Sequence, residues 1–224
     1  MSTAGKSSSL DPRSTSVANT PLKLAIILLA AGQGSRLGSI PKALLKKNGK
    51  SMLESFCVEM DSLNPVELLV ITGFHRDLIT AEVETLRERV NMPIHLQYHP
   101  DAKEGQASTV RLALESLQSD FDVLVICLCD QPNIDATAIQ FLLEPFCMRE
   151  QSEQIIMPMV NGQRGNPVLF SKAVIQAILS IPNMVCRPYM DLHPELVKTV
   201  QTECLAYIQD VDTMDDILKL GVTR

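Results

Sequence analysis

The stretch Leu29-Ala30-Ala31-Gly32-Gln33-Gly34-Ser35-Arg36-Leu37-Gly38-Ser39-Ile40-Pro41-Lys42 joins small residues and glycines to two fixed cations. Glycine lets a backbone bend sharply and come close to a phosphate, with its amides aimed at the oxygens. Arg36 and Lys42 add the positive charge that a triphosphate needs. A lone Gly-x-Gly could be a structural turn, and this spacing is neither the dinucleotide fingerprint nor Walker A. The longer string, with Arg36 two residues after Gly34 and Pro41-Lys42 beyond, is more specific. Leu29, Ala30, Ala31, Gly32, Gly34, Ser35, Arg36 and Lys42 are therefore the core of a candidate nucleotide-binding set.

Asp130 follows an aliphatic run and precedes Pro132, which cannot continue a central strand, so the chain must turn there. A hard carboxylate oxygen suits Mg²⁺, which needs few protein ligands when it also bridges phosphates. Asp210-Val211-Asp212-Thr213 offers a second carboxylate. A magnesium site would pair Asp130 with Asp212 or, second in order, Asp210; alternatively Asp212 or Thr213 merely caps the helix that follows. Gly105-Gln106-Ala107-Ser108-Thr109 opens a helix with exposed amides and hydroxyls, a natural contact for an anion or base, and Gly105 and Ser108 join the nucleotide set. Gly73, which ends the second strand, joins it too. Asn161-Gly162-Gln163-Arg164-Gly165-Asn166-Pro167 is polar and glycine-rich, and could be a surface loop or the lining of an acceptor pocket in which Arg164 grips a phosphate.

These residues need a frame that gathers them at one edge. Leu24–Leu29, Val66–Ile71, Ile94–Tyr98, Val123–Leu128 and Ile155–Met159 read as strands, mostly continuous apolar runs of the kind buried on both faces. Pro167–Phe170 is extended, and Val197–Val200 and Leu205–Ile208 read as short strands. Helical spacing occupies Ser51–Leu63, His75–Val90, Glu104–Leu117, Ala136–Phe146, Lys172–Leu179 and Met214–Leu220, and Ser51 with Glu54 fits a capping box. Strands alternating with helices predict a mostly parallel sheet covered on both faces, which binds ligands beyond the carboxyl ends of its strands. The irregular stretch from Met159 to Pro167 lies where an insertion would cover a substrate cleft.

The 224 residues predict one domain from about residue 21, after a Ser/Thr-rich leader over residues 1–20 that reads as flexible and lacks a signal-peptide core. Gly5-Lys6-Ser7 in that leader has no upstream glycine or strand to make it a Walker A loop. A net charge of −6 argues against a nucleic-acid or acidic-membrane surface, although not against one small basic pocket. The six cysteines have no zinc-type or disulfide-scaffold spacing and read as free thiols in a reducing cytoplasm. His75, His95, His99 and His193 show no ligand spacing.

The loop 29–42, Asp130-Gln131-Pro132, Arg164 to Phe170, His193-Pro194-Glu195 and Asp210-Val211-Asp212-Thr213 occur in one order over about residues 22–220. In that combination the chain resembles the molybdenum cofactor nucleotidyltransferases, most of all their cytidylyl branch; single motifs are shared with sugar-phosphate nucleotidyltransferases. The resemblance implies a three-layer α/β/α Rossmann-like fold with a mostly parallel, mixed sheet. It implies transfer of CMP from CTP to the terminal phosphate of molybdopterin with Mg²⁺ and release of pyrophosphate, with a molybdoenzyme client or chaperone as a further partner. Ala30-Ala31-Gly32 is the form of the cytidylyl branch, where the guanylyl branch that uses GTP has Ala-Gly-Gly. Arg36, Lys42 and Asp130 would be catalytic, Asp130 and Asp212 would hold the metal, and Arg164, Gly165, Asn166 and His193 would meet the acceptor. Val185-Cys186-Arg187-Pro188-Tyr189 departs from the Gly-Ala-Arg segment common before His-Pro-Glu, which bears on the acceptor. A sugar- or polyol-phosphate acceptor, and a nucleotide-binding protein that delivers the cofactor without chemistry, are the rival expectations.

Overall fold

In the computed structural model, which describes residues 22–224, strand β1 (Leu24–Ala30) is buried along its whole length. Its side chains alternate between two separate cores. Leu24, Ile26, Leu28 and Ala30 enter one, and Ala25, Ile27 and Leu29 the other. A strand with an apolar layer on each face must lie inside a sheet covered on both sides, and that fixes the layered class. The leader read from residues 1–20 lies outside the described residues.

The sheet has eight strands. Seven of them, β1, β4 (Glu67–Thr72), β5 (Ile94–Tyr98), β6 (Val123–Leu128), β7 (Ile155–Val160), β9 (Val168–Ser171) and β10 (Val197–Gln201), lie in the order β10-β7-β9-β6-β1-β4-β5. The eighth, β8 (Gln163–Arg164), pairs with the end of β7. β1 runs parallel to both neighbours, with Ala30 opposite Thr72 and Leu29 opposite Leu128. β9 runs against its neighbours β6 and β7, the short β8 also runs against β7, and β10 is parallel to β7. The register puts the carboxyl ends of β1, β4, β5, β6, β7 and β10 and the amino end of β9 at one edge. The glycine loop, Gly73, Gly105 to Thr109, Asp130, residues 161–167 and Asp210 to Thr213 leave the sheet there, whereas His193-Pro194-Glu195 precedes β10 at the opposite edge.

Helices α1 (Met52–Asp61), α2 (Arg76–Arg87) and α4 (Ala136–Cys147) cover the first face through residues such as Phe56, Val83 and Phe146. Helices α3 (Gln106–Ser116), α5 (Lys172–Ser180) and α6 (Cys186–Leu192) cover the second through residues such as Leu114, Ile178 and Tyr189. A third, small core of Leu37, Leu45, Met52, Val211, Ile217 and Val222 joins the glycine loop to helix α7 (Met214–Lys219). Above it sits a three-stranded sheet of β2 (Lys46–Lys47), β3 (Lys50–Ser51) and β11 (Val222–Thr223).

Three local readings are corrected. Leu205–Ile208 is a 3-10 turn and not a strand, because Ala206 and Tyr207 pack inward together and Tyr207 donates its hydroxyl to Ala138 O at 2.8 Å. Ser51 does cap α1 by accepting from Glu54 N, but the Glu54 carboxylate turns to Arg89 at 2.8 Å, so the box is half made. The segment 186–192, not assigned to any element from the sequence, is helix α6. Among the described residues no helix is long and apolar enough to cross a membrane.

Candidate active site

The glycine loop turns on Gly34. Its φ of +66° is left-handed, and a Cβ there would stand 2.1 Å from Ile40 O, so only glycine fits. Gly34 O accepts from Leu37 N and Ser39 N, both at 3.0 Å, which closes the loop on itself. His75 Nε2 lies 2.9 Å from Gln33 O; a carbonyl only accepts, so that nitrogen carries the proton. Spacing alone gave His75 no such role.

Behind the loop, Gly73 packs so closely that a Cβ would lie 2.5 Å from Ala31 O and 2.7 Å from Ala102 Cβ. It buttresses the loop and does not line the cleft. Gly73→Val is expected to cost about 1–3 kcal/mol, as overpacking does, and to weaken nucleotide binding by shifting Ala31. Urea unfolding and nucleotide titration check this, and an unchanged midpoint together with unchanged affinity would remove the buttress.

The cleft in front of the loop has a volume of about 470 Å³ and is lined by Leu29, Ala30, Ala31, Gly32, Gly34, Ser35, Arg36 and Lys42. Gly105, Gln106 and Thr109 face it from α3, and Asp130, Asp210 and Asp212 from the sheet edge. Ser108 does not line it; its hydroxyl donates to Gly105 O at 2.9 Å, as does that of Thr109 at 3.1 Å, but Ser108 lies off the cleft side of the helix. Gln106 and Thr109 take its place.

The carboxylates are brought together by backbone. Val211 N donates to Asp130 O at 2.8 Å, while the Val211 side chain is fully buried in the third core. Its neighbours Asp210 and Asp212 are thereby left facing the cleft. Thr213 and Asp216 form the capping box of α7, which frees Asp212 from that duty. Lys42 Nζ donates to Asp130 Oδ2 at 2.8 Å and to Asp212 Oδ1 at 2.5 Å, and Arg36 reaches Asp212 Oδ2 at 3.2 Å. Burial alone would lower the Lys42 pKa, but Asp130 and Asp212 outweigh it and hold it above the ordinary lysine value. Burial and the nearby Asp130 charge push the Asp210 pKa upward as well, which for an acid favours the neutral form, and its buried Oδ1 has no partner.

A second cleft of about 540 Å³ continues from the first, sharing Leu29, Gln106, Leu128 and Asp210. Its floor is apolar, with Ile126, Met157, Val168 and Phe170, and its rim carries Arg164, Gly165, Asn166 and Arg187. Gly165 N donates to Pro158 O and Asn166 N to Tyr207 O, which ties this rim to the segment that carries Asp210. Arg164, on this rim, pairs with Asp191 at 2.6 Å. His193 does not line the cleft: it packs on Tyr189, ring centroids 4.4 Å apart, and meets Glu195 at 3.1 Å. The departing segment Val185-Cys186-Arg187-Pro188 supplies the wall instead. Six cysteines are free, and burial raises the Cys186 thiol to about 12, so it is a packing group at neutral pH.

Residues 26–187 match the MobA-like NTP transferase domain. The bifunctional protein GlmU of Mycobacterium marinum is 29% identical over 143 residues, 63% of this chain and 29% of that protein. The chain thus spans less than a third of the GlmU proteins it matches. Nicotine blue oxidoreductase of Paenarthrobacter nicotinovorans is 25% identical over 202 residues, 87% of this chain and 94% of that protein. Among solved structures, Rv0371c of Mycobacterium tuberculosis H37Rv superposes with a TM-score of 0.66 at 20% identity, covering 90% of this chain and 98% of that one. Its structure in complex with manganese gives 0.62 at 19%, covering 88% and 97%.

Proposed function

Since the chain belongs to the MobA-like NTP transferase family, we propose that it moves CMP from CTP to the terminal phosphate of the molybdopterin cofactor and releases pyrophosphate. The observation that carries this reading is the Lys42 ammonium held between Asp130 and Asp212 in front of the glycine loop. Paired carboxylates, a phosphate-type loop and a second cleft opening off the first are the parts that nucleotidyl transfer requires.

The acceptor's terminal phosphate is already an anion. One of its oxygens forms a bond to the α-phosphorus while the bond from that phosphorus to the β-bridging oxygen breaks, and the electron pair leaves with pyrophosphate. No strong general base is needed, so catalysis is positioning and charge neutralisation. The loop amides, Arg36 and Lys42 hold the β- and γ-phosphates and the leaving group. Gly105, Gln106 and Thr109 lie along the nucleotide. Arg164, Asn166 and Arg187 orient the acceptor phosphate, and the apolar floor favours a flat ring over a hydroxyl-rich sugar, whose polar groups it would leave unpaired.

A divalent metal fits the donor set. Asp130 and Asp212 already share one cation, and Asp210 adds a buried oxygen without a partner. Mg²⁺ needs few protein ligands, because it completes its shell with phosphate and water. Asp130 and Asp212 would hold it, and it would supply charge neutralisation at the phosphates.

The test is pyrophosphate release with molybdopterin and Mg²⁺, comparing CTP, GTP, ATP and UTP. Release with CTP is expected. Release with GTP alone overturns the base assignment read from Ala30-Ala31-Gly32, and no release with any nucleotide from folded protein overturns transfer itself. A second reading is supported by the relative named nicotine blue oxidoreductase, similar over nearly the whole chain: redox chemistry on a flat ring in the second cleft. It predicts no pyrophosphate under any condition.

A further inference from the structure

We infer that Arg111 is a positioning residue that sets the wall of the second cleft, Val185 to Pro188, against the nucleotide-facing end of α3. Helix α5 ends at Ser180, where its last carbonyls run out of α-helical donors; Ile178 O keeps a backbone bond from Ile181 N and Ile181 O one from Met184 N, each at 3.2 Å. Arg111, on α3, collects them. Its Nη1 donates to Ile178 O at 3.3 Å, Ile181 O at 3.0 Å and Met184 O at 3.2 Å, and its Nη2 to Leu179 O at 3.2 Å. Its Nε is held by Glu115 at 2.6 Å. One guanidinium thus ties four main-chain carbonyls over residues 178–184, and the next residues, Val185 to Pro188, are the wall of the cleft.

The other end of the tie matters equally. Val110, beside Arg111, lines the same cleft, and Gln106 at the start of α3 lines both clefts. The positive charge also sits at the negative end of the α5 dipole. A helix needs no such cation merely to stop, since water serves exposed carbonyls; the extra bonds to Ile181 and Met184 fix the loop after the helix. Lysine offers a single ammonium in place of a planar fork and cannot span the four acceptors in the same geometry.

That the second cleft holds the acceptor rests on the proposed function; that Arg111 fixes its wall does not. The test uses both. In full-length protein with Cys147→Ser and Cys204→Ser, which removes the two exposed thiols, Cys186 reports on the wall. Iodoacetamide labelling of Cys186, read by mass spectrometry, is expected to speed up about tenfold in Arg111→Met and less in Arg111→Lys, as local opening does. Labelling of buried Cys57 and Cys127 stays as in the parent. In the same variants the KM for molybdopterin rises about tenfold, a loss of uniform acceptor binding, while that for CTP stays within about twofold. Unchanged Cys186 labelling overturns the inference. So does a parallel rise at Cys57 and Cys127, which would make Arg111 a general stabiliser. Should pyrophosphate release fail in the parent, the functional reading falls while the labelling comparison still decides the role of Arg111.

Discussion

Asp130→Ala is expected to cut turnover at least about a hundredfold, the scale of losing one strong transition-state contact. The substitution is clean because the fold uses the backbone of residue 130 and the site uses its side chain. Val211 N keeps its bond to the carbonyl of residue 130 in the variant, so Asp210 and Asp212 stay where they are. What disappears is the carboxylate 2.8 Å from Lys42. Lys42 is then left to Asp212 alone, and the metal site loses one of its two proposed ligands. Asp130→Asn separates the parts: it keeps an oxygen that can accept from Lys42 but carries no charge, so it should fail nearly as badly as alanine if charge is what matters. Steady-state kinetics beside a thermal melt decides the case. Near-wild-type turnover in folded Asp130→Ala would remove Asp130 from the metal and from the mechanism.

The frame of this site was legible in the sequence because its strands are apolar and sharply punctuated. Ile94–Tyr98 and Val123–Leu128 match their sequence bounds to the residue, the first set off by Pro93 and Pro100, the second ended by Asp130-Gln131-Pro132. Elements without that contrast were not legible. Leu205–Ile208 is four apolar residues, too few to tell a period of two from one of three. Helix α6 carries Pro188 at its third position, which reads as a breaker yet is tolerated in a first turn where no helical bond is lost. The two-residue strands β2, β3 and β11 have no pattern at all. Site residues follow the same logic. Arg36, Lys42, Asp130 and Asp212 could be placed at one edge from sheet class alone. That one ammonium joins residues 42, 130 and 212 depends on the backbone bond from Val211 to residue 130, which no spacing reveals. His193 was carried over with a motif, and Tyr189 and Glu195 hold it elsewhere. Gln106 and Thr109 lie in the same motif as Ser108, and both the Ser108 and Thr109 hydroxyls bond back to Gly105 O, so the side of α3 that meets the cleft is set by how the helix packs on the sheet and not by residue type.

Lys42→Ala should lower kcat/KM for CTP by at least about a hundredfold, since it removes a charge-assisted contact to the triphosphate from a half-buried site. Its second consequence distinguishes binding from scaffolding. Without the ammonium, Asp130 and Asp212 remain as like charges with less to hold them together, so the variant should also melt lower at neutral pH. The sign of the pH dependence follows from the raised Lys42 pKa. For a base held above its ordinary value of 10.5, the stabilisation is complete below that value and is lost as pH climbs through the raised one. The gap in melting temperature between wild type and Lys42→Ala should therefore persist through neutral pH and close only in strong alkali. A lysine that only scaffolds would show this melting pattern with the KM for CTP unchanged and the lost rate restored by higher Mg²⁺, because a divalent ion can replace it between the carboxylates. A lysine that handles the triphosphate would show the melting pattern together with a raised KM for CTP that extra Mg²⁺ does not repair. The second outcome is expected, because Lys42 ends the same loop that carries Gly34 and Arg36, and Arg36 reaches only Asp212. An unchanged rate with unchanged CTP affinity would leave Lys42 without a part in the reaction.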